Sequence, residues 1–77
     1  MNIIYSKQAV KVINHMDSAT KQRIKTAIHK LPAGDVKKLK GFLNAYRLRV
    51  GDWRVLFDMD VEIIITDILP RGDAYKK

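Results

Sequence analysis

The sequence predicts an α+β fold in which a helical hairpin packs on one face of an antiparallel sheet, in the order β-α-α-β-β-β. Apolar residues recur at helical spacing in the first half of the chain and alternate with charged residues in the second half. Glycine and aspartate divide the alternating half into three strands. With 77 residues and no repeat, linker or low-complexity tract, the chain is expected to form one domain, residues 1–77.

The first half begins with an apolar run at 2–5, which is expected to join an edge of the sheet as a strand. Ser6 is a good N-cap for a helix, and the apolar residues of that helix follow at regular spacing: Ala9, Val10, Val12, Ile13 and Met16. Asp17 and Ser18 are also good caps, and they separate this helix from a second one that ends at Pro32. The apolar stripe of the second helix comprises Ile24, Ala27, Ile28 and Leu31. A helical pair with one apolar side must pack on another layer, which the strands provide.

The second half begins with a connection at 33–45, after which the loop Gly51-Asp52 is expected to close a hairpin. A two-residue loop at this point fixes the positions that face each other across the two strands. The predicted pairs are Val50 with Trp53, Arg49 with Arg54, Leu48 with Val55, and Tyr46 with Phe57.

The next loop is expected to be the three residues 58–60, which places Phe57 opposite Val61. Three residues of the last strand then share a side with the hairpin arginines: Glu62, Ile64 and Thr66. With a two-residue loop, the residues of that strand that face the helices and those that face the arginine side would be exchanged. The three-residue loop is preferred because it extends the apolar side through Ile65.

Alternation divides the hairpin into a charged side and an apolar side that suits the helical pair. The apolar side comprises Tyr46, Leu48, Val50, Trp53, Val55 and Phe57, and the charged side carries Arg47, Arg49 and Arg54. Two like charges ~5 Å apart repel by about 3 kcal/mol at an effective dielectric constant of about 20. An anion bound between Arg49 and Arg54 would explain why the fold tolerates this pairing. The alternatives are neutralisation by Asp52 or Asp58, or guanidinium groups that splay into water.

The composition favours a polyanionic partner, because 15 Lys and Arg against eight Asp and Glu give a formal net charge of +7. Nucleic acid is the first choice, followed by an anionic membrane surface or an acidic protein. The chain has no cysteine, no residues at metal-ligand spacing and no glycine-rich phosphate loop, so neither a metal nor a small-molecule cofactor is expected. No signal peptide and no apolar stretch of ~20 residues is recognisable, so a soluble cytoplasmic protein is expected.

Three residues outside the hairpin add to the charged side. Lys40 lies just before the hairpin, Arg71 follows the last strand, and Tyr75 lies four residues beyond it. Taken singly, Lys40 is explained as a solvated loop charge and Tyr75 as a packed aromatic near the terminus. Their convergence with the arginines makes them functional candidates. His15 and His29 lie in or beside the helices and are expected to be surface or boundary residues.

Three motifs together resemble the RelE branch of the RelE/ParE superfamily of toxins from type II toxin–antitoxin modules. They are "KLKG" at 38–41, "YRLRVGDWRVLFD" at 46–58 and "IIITDILPRGDAYK" at 63–76, so the resemblance covers most of the chain. It implies a compact, microbial-RNase-like toxin that cleaves mRNA in the ribosomal A site and so inhibits translation. It also implies a cognate antitoxin, which would present an acidic or amphipathic segment to the basic face and the helical hairpin.

The resemblance implies metal-independent chemistry, in which the ribose 2′-hydroxyl attacks the adjacent phosphate and leaves a 2′,3′-cyclic phosphate and a 5′-hydroxyl. Arg54 and Arg71 would bind the scissile phosphate and stabilise its additional negative charge. Arg47 and Arg49 would hold the RNA backbone and orient the nucleophile.

Two further residues receive roles from the same resemblance. Tyr75 would stack on a base or assist proton transfer, and Lys40 would assist RNA binding from the loop. The residue that accepts the proton from the nucleophile stays open, because arginine, with a pKa above ~12, is a poor base. Tyr75 and the ribosome itself are the two candidates.

Two other functions stay open beside the nuclease. A ParE-like protein on the same fold would inhibit DNA gyrase by binding and would cleave no RNA. A relative without catalytic activity would bind nucleic acid in a salt-sensitive way and would not be toxic.

Overall fold

The computed structural model describes residues 2–70, which form two helices and five strands. In chain order these are β1 (Ile3–Tyr5), α1 (Lys7–Asn14), α2 (Ser18–His29), β2 (Val36–Lys38), β3 (Ala45–Val50), β4 (Trp53–Met59) and β5 (Ile63–Pro70). The strands form one sheet in the order β1-β5-β4-β3-β2. The predicted α+β class is confirmed. Neither helix of the described region is long and apolar enough to cross a bilayer.

Both helices begin at the residues that the sequence predicts. The Ser6 hydroxyl accepts a hydrogen bond from the Ala9 amide at 3.1 Å and donates to the Thr66 carbonyl at 2.9 Å. This second bond ties the start of α1 to β5. Asp17 caps α2 by accepting from the Thr20 amide at 3.1 Å. The second helix ends at His29, slightly before Pro32, because a proline also disfavours helical backbone at the residue before it.

The core lies between the two helices and one face of the sheet. It consists of ten buried apolar residues: Ala9, Ile13, Ile24, Ile28, Leu48, Val55, Phe57, Ile63, Ile65 and Ile68. Helix α1 packs against β5 and helix α2 against β3. The rings of Tyr46 and Phe57 stack on this face with centroids 5.5 Å apart. The other face of the sheet carries no helix within residues 2–70, and this helix-free face holds the arginines.

The β3–β4 hairpin has the predicted register. All four predicted pairs are present: Val50 with Trp53, Arg49 with Arg54, Leu48 with Val55, and Tyr46 with Phe57. Gly51 has a φ of +59° in the loop, a conformation that L side chains rarely adopt. A Cβ added at Gly51 would meet only the flexible end of the Arg23 side chain, which can move, so the backbone conformation is what favours glycine.

The connection at 33–45 contains a strand that the sequence analysis missed. β2 pairs antiparallel with β3 and places Lys37 opposite Arg47. A three-residue strand is too short to show alternation, which is why its sequence gave no strand signal. The strand at the amino terminus joins the sheet edge as predicted, but it runs parallel to β5. The sheet is therefore mixed rather than wholly antiparallel.

The predicted loop of the last hairpin was misplaced by two residues, so the predicted partner of Phe57 was wrong by four. Met59 pairs with Ile63, so the loop consists of residues 60–62 instead of 58–60, and Phe57 faces Ile65 instead of Val61. Val61 is a loop residue with 82% of its surface exposed. The loop keeps the predicted length of three residues, so Ile64 still lies on the arginine side, opposite Asp58. β4 continues to Met59 because this side chain packs against the core.

Candidate functional site

Three predicted site residues lie together on the helix-free face. Arg47 and Arg49 are on β3, and Arg54 is on β4 directly opposite Arg49. Their side chains point away from the helices because adjacent residues of each strand, Leu48 and Val55, are buried in the core. Strand alternation thus concentrates three guanidinium groups on one side of two adjacent strands.

Asp35 provides the negative charge beside two of these arginines. Its carboxylate accepts a hydrogen bond from Arg49 Nε at 2.8 Å and lies 3.4 Å from Arg47 Nη1. Its main-chain carbonyl accepts from the Arg49 amide at 3.0 Å and from Arg47 Nη1 at 3.2 Å. Asp52 and Asp58 are the counter-charges that the sequence offers as an alternative, but both ion pairs within residues 2–70 use Asp35.

Arg49 and Arg47 lower the pKa of the Asp35 carboxyl below its ordinary value. The largest cause is the hydrogen bond from Arg49, and the charges of Arg49 and Arg47 act in the same direction. Asp35 therefore stays ionised at neutral pH. One carboxylate then faces two guanidinium groups, which leaves this part of the surface with a net positive charge.

Arg47 and Arg49 differ in their exposure to solvent. The Arg47 side chain is 11% exposed, and its Nε is buried with no hydrogen-bond partner within residues 2–70. The Arg49 side chain is 55% exposed, and none of the hydrogen bonds described in residues 2–70 uses its terminal nitrogens. Arg49 is thus open to an incoming anion, whereas Arg47 is held in place by the Asp35 loop.

Arg54 is fixed by main-chain carbonyls instead of a carboxylate. Its Nη1 donates to the Gly51 carbonyl at 3.2 Å and to the Trp53 carbonyl at 3.1 Å. No acidic side chain in the described part of the chain forms an ion pair with it. The hairpin loop therefore positions this guanidinium group, and no carboxylate within residues 2–70 neutralises its charge.

Lys40 lies beside Arg47 in what we call the basic groove. The groove has a volume of about 370 Å³ and is lined by Lys37, Lys38, Leu39, Lys40, Phe42 and Arg47. Lys40 is exposed in the turn that follows β2. Lys37 and Lys38 were not predicted as site residues. The run of lysines around Lys40 was the available signal, but it becomes meaningful only once β2 is seen to pair with β3.

The predicted residues Arg71 and Tyr75 lie outside the described residues. The last described residue, Pro70, pairs with Trp53, the neighbour of Arg54. His15 and His29 are exposed on or beside the helices, as expected.

The site residues that the structure describes form a positively charged surface. Arg49 and Arg54 meet at the hairpin, and the lysines extend the positive charge across β3 to β2. Such a surface binds phosphate groups through charge-assisted hydrogen bonds. Preorganised guanidinium groups also stabilise a phosphate that gains negative charge during a reaction.

Comparison with known proteins identifies similar sequences. A family model described as the ParE toxin of the type II toxin–antitoxin system, parDE, matches residues 3–75. Toxin RelE3 of Methanocaldococcus jannaschii is 32% identical in an alignment of 84 positions, which covers 97% of this chain and 96% of the relative.

Two solved structures share the fold over nearly the whole chain. The RelB–RelE antitoxin–toxin complex from Methanococcus jannaschii contains a chain with a TM-score of 0.76 and 29% identity, and 95% of each chain is covered. The archaeal RelE–RelB complex from Pyrococcus horikoshii OT3 contains a chain with a TM-score of 0.74 and 30% identity, covering 95% of this chain and 97% of that one.

Proposed function

The chain belongs to the RelE branch of the RelE/ParE superfamily of toxins from type II toxin–antitoxin systems, and on this premise we propose that it cleaves mRNA in the ribosomal A site without a metal. The whole chain, residues 1–77, acts as a single toxin domain. Ribosome-bound mRNA is its substrate, so its place of action is the cytoplasm.

The observation that supports this proposal best is the pair formed by Arg49 and Arg54. Two arginines directly opposite each other on a sheet repel, and Asp35 relieves the repulsion on the Arg49 side only. An RNA phosphate that approaches the helix-free face meets Arg54, positioned by two carbonyls, and the exposed part of Arg49. A phosphodiester is an anion of the charge and size that this pair accommodates.

The proposed reaction is a transesterification. The 2′-oxygen forms a bond to phosphorus and loses its proton, the bond from phosphorus to the 5′-oxygen breaks, and that oxygen gains a proton. The products are a 2′,3′-cyclic phosphate and a 5′-hydroxyl. Arg54 and Arg71 stabilise the charge that develops on the phosphate, and Arg49 orients the reacting phosphodiester.

Arginines cannot accept the proton, because they stay protonated at any physiological pH. Tyr75 or a ribosomal group accepts it instead. Arg47 and Lys40 contribute to RNA binding through the basic groove, where lysines add positive charge near the RNA backbone. Arg47 is the more buried of the two. Its side chain forms part of the groove wall, and its charge adds to the positive electrostatic potential in the groove.

A cognate antitoxin is the proposed protein partner. The two solved structures described above are antitoxin–toxin complexes, and a nuclease that acts on cellular mRNA requires an inhibitor in the cell that makes it. An antitoxin neutralises the toxin when it covers the arginines, and an acidic segment suits that surface.

Primer extension on mRNA after brief induction tests the nuclease. We expect cuts with the wild type and their loss with Arg54→Ala and Arg71→Ala, while circular dichroism shows a retained fold. Lys25→Ala is a matched control, because it removes one exposed charge from the helical layer. Growth arrest and mRNA cuts of wild-type strength in both arginine variants would remove the catalytic proposal.

The family model that matches the chain is named for ParE, so a second experiment tests whether the protein inhibits DNA gyrase. A reporter of DNA damage, measured in the same induced cultures, separates the two functions. Induction of the reporter without mRNA cuts would indicate a gyrase inhibitor. The RelE relatives favour the opposite result, mRNA cuts without the reporter.

A further inference from the structure

An apolar patch covers the end of the molecule opposite the Gly51 hairpin loop. Six large apolar side chains are exposed within residues 2–70, and five of them lie at this end. They are Ile4, Phe42, Leu43, Val61 and Ile64, and we call them the end patch. Phe42, Leu43, Val61 and Ile64 line one cavity of about 480 Å³, and Ile4 pairs with Ile64 across the sheet.

The exposure of the end patch is large for apolar side chains. Leu43 is 83% exposed, Val61 is 82% exposed and Phe42 is 62% exposed. These three residues lie in two neighbouring loops, outside the strands, so the packing of the core does not require them to be apolar. A contiguous exposed apolar patch with a polar rim is typical of a protein-binding surface.

The charge around the end patch is opposite to that of the molecule as a whole. Among residues 2–70 its cavity is lined by three of the eight acidic residues in the chain and by no lysine or arginine. The three are Asp58, Asp60 and Glu62, and none of them forms an ion pair within residues 2–70. An RNA backbone is repelled by this rim, so the patch lies outside the RNA-binding surface except at Phe42, where it borders the basic groove.

We propose that the end patch binds a segment of the cognate antitoxin that carries apolar side chains flanked by lysine or arginine. The inference rests on the proposed function for the identity of the partner, while the chemistry of the segment follows from the patch itself. Apolar side chains fill the cavity between the two loops, and the flanking cations meet the acidic rim. A symmetric contact between two copies of this chain is disfavoured, because it would bring two acidic rims together.

The location of Phe42 connects the end patch with the basic groove. Phe42 lines both, and Lys40 and Arg47 lie on the groove side. A single stretch of the antitoxin can therefore contact the end patch and the basic groove continuously. Its acidic part covers the groove and its basic, apolar part covers the end patch, so the antitoxin binds two neighbouring surfaces of opposite charge.

The test uses the toxin and the product of the reading frame beside its gene, purified as a complex. In the double variant Leu43→Ser, Val61→Ser both changes are at highly exposed positions, which keeps the fold intact. The dissociation rate of the complex is expected to rise by about 30-fold or more, because the variant loses apolar anchors and interface changes act mainly on dissociation. Ala33→Ser is the control, since Ala33 is exposed in the connection after α2, outside the end patch and the basic groove, and it leaves the rate unchanged.

Charge variants test the acidic rim separately. Asp60→Lys with Glu62→Lys is expected to raise the dissociation rate by about tenfold, and Asp60→Asn with Glu62→Gln to give an intermediate rate. The free Leu43→Ser, Val61→Ser toxin is expected to cut mRNA like the wild type yet escape neutralisation in cells. Hydrogen exchange should slow at residues 42–45 and 58–64 when the antitoxin binds.

Three outcomes of these experiments would contradict the end-patch proposal. A complex whose dissociation rate is unchanged by the patch and rim variants overturns the end-patch proposal but leaves the nuclease untouched. Failure of the wild-type toxin to bind the neighbouring gene product overturns both the antitoxin proposal and this inference. A free toxin that dimerises, and that Leu43→Ser, Val61→Ser converts to a monomer, assigns the patch to a second copy of the chain instead.

Discussion

Arg49 and Arg54 face each other across the β3–β4 hairpin, yet only Arg49 has a carboxylate partner within residues 2–70. Asp35 binds Arg49 from the β2 side of the sheet, and the carbonyls of Gly51 and Trp53 bind Arg54 from the loop side. Different anchors thus hold the two guanidinium groups, and no carboxylate within residues 2–70 neutralises Arg54.

Replacing Asp35 by asparagine removes the carboxylate that competes with RNA for Arg49. RNA binding is therefore expected to tighten, by about three- to tenfold at low salt, and its salt dependence to become steeper. Cleavage at saturating RNA is expected to slow, because Arg49 loses the acceptor that orients it. Fluorescence titration with an RNA oligonucleotide over a salt series measures binding, and single-turnover cleavage measures the rate.

Asp52→Asn is the control for this variant, because it removes an exposed carboxylate from the hairpin loop that forms no ion pair within the described region. A purely structural role for Asp35 would weaken binding and cleavage together. Weaker RNA binding by the folded Asp35→Asn protein would contradict the competition between carboxylate and phosphate.

The lowered pKa of Asp35 determines how the stability of the fold depends on pH. The folded pKa lies below the unfolded value of about 3.9, so the contribution of Asp35 is fully present above that value and is lost as pH falls through the folded pKa. Asp17 acts in the same direction, since hydrogen bonds from Thr20 lower its pKa. The melting temperature is expected to be level near neutral pH and to fall below about pH 4.

Thermal melts of the wild type and Asp35→Asn between about pH 2 and 7 check this dependence. The two melting temperatures should converge in acid, because the wild-type carboxyl is then neutral as well. A constant difference over the whole range would show that the ion pairs of Asp35 do not contribute to the acid dependence.

The sequence predicted the hairpin register because its loop is unambiguous. Gly51 has a positive φ, and the two-residue loop that it forms fixes Arg49 opposite Arg54. The later loop was misplaced because several of the residues around it suit either a loop or a strand. Burial of Ile63 beside Met59 in the core decided the actual register, and tertiary packing of this kind is not visible in local sequence.

Asp35 was missed for a related reason. It lies in a segment that the sequence presents as a connection, 12 residues before Arg47 and 14 before Arg49. Only the pairing of β2 with β3 brings its carboxylate beside the arginines. The same pairing assembles the basic groove, so one short strand that lacks a sequence signal accounts for both omissions.

The hydroxyl group of Tyr5 is expected to reduce the stability of the fold. It is buried, it has no hydrogen-bond partner within residues 2–70, and burial raises its pKa. An unsatisfied buried hydroxyl costs about 1–3 kcal/mol, so Tyr5→Phe should raise the free energy of unfolding by about 1 kcal/mol. Urea denaturation at neutral pH measures the change.

Alkaline pH provides a second test at the same residue. Because the folded pKa of Tyr5 lies above its unfolded value, the stability linked to its neutral form is present below about pH 10 and is lost as pH rises through the folded pKa. Tyr5→Phe should weaken this alkaline loss. Tyr46→Phe, a change on the same face of the sheet, is the control.

If Tyr5→Phe instead lowers the free energy of unfolding at neutral pH, the hydroxyl must have a partner beyond residues 2–70.

Arg54→Lys separates the charge of Arg54 from its geometry. Lysine keeps one positive charge but lacks the planar group that donates to the carbonyls of Gly51 and Trp53. RNA binding should therefore change by less than about threefold, with the same salt dependence, since that dependence follows the number of charges. The cleavage rate should fall by about 100-fold, because a flexible ammonium group is not preorganised around the charge that develops on the phosphate.

Lys25→Arg, the reverse change on the exposed side of α2, should leave both RNA binding and the cleavage rate unchanged. A lysine variant that cleaves RNA at the wild-type rate would mean that Arg54 contributes charge alone, and the carbonyl anchors would then have no part in catalysis.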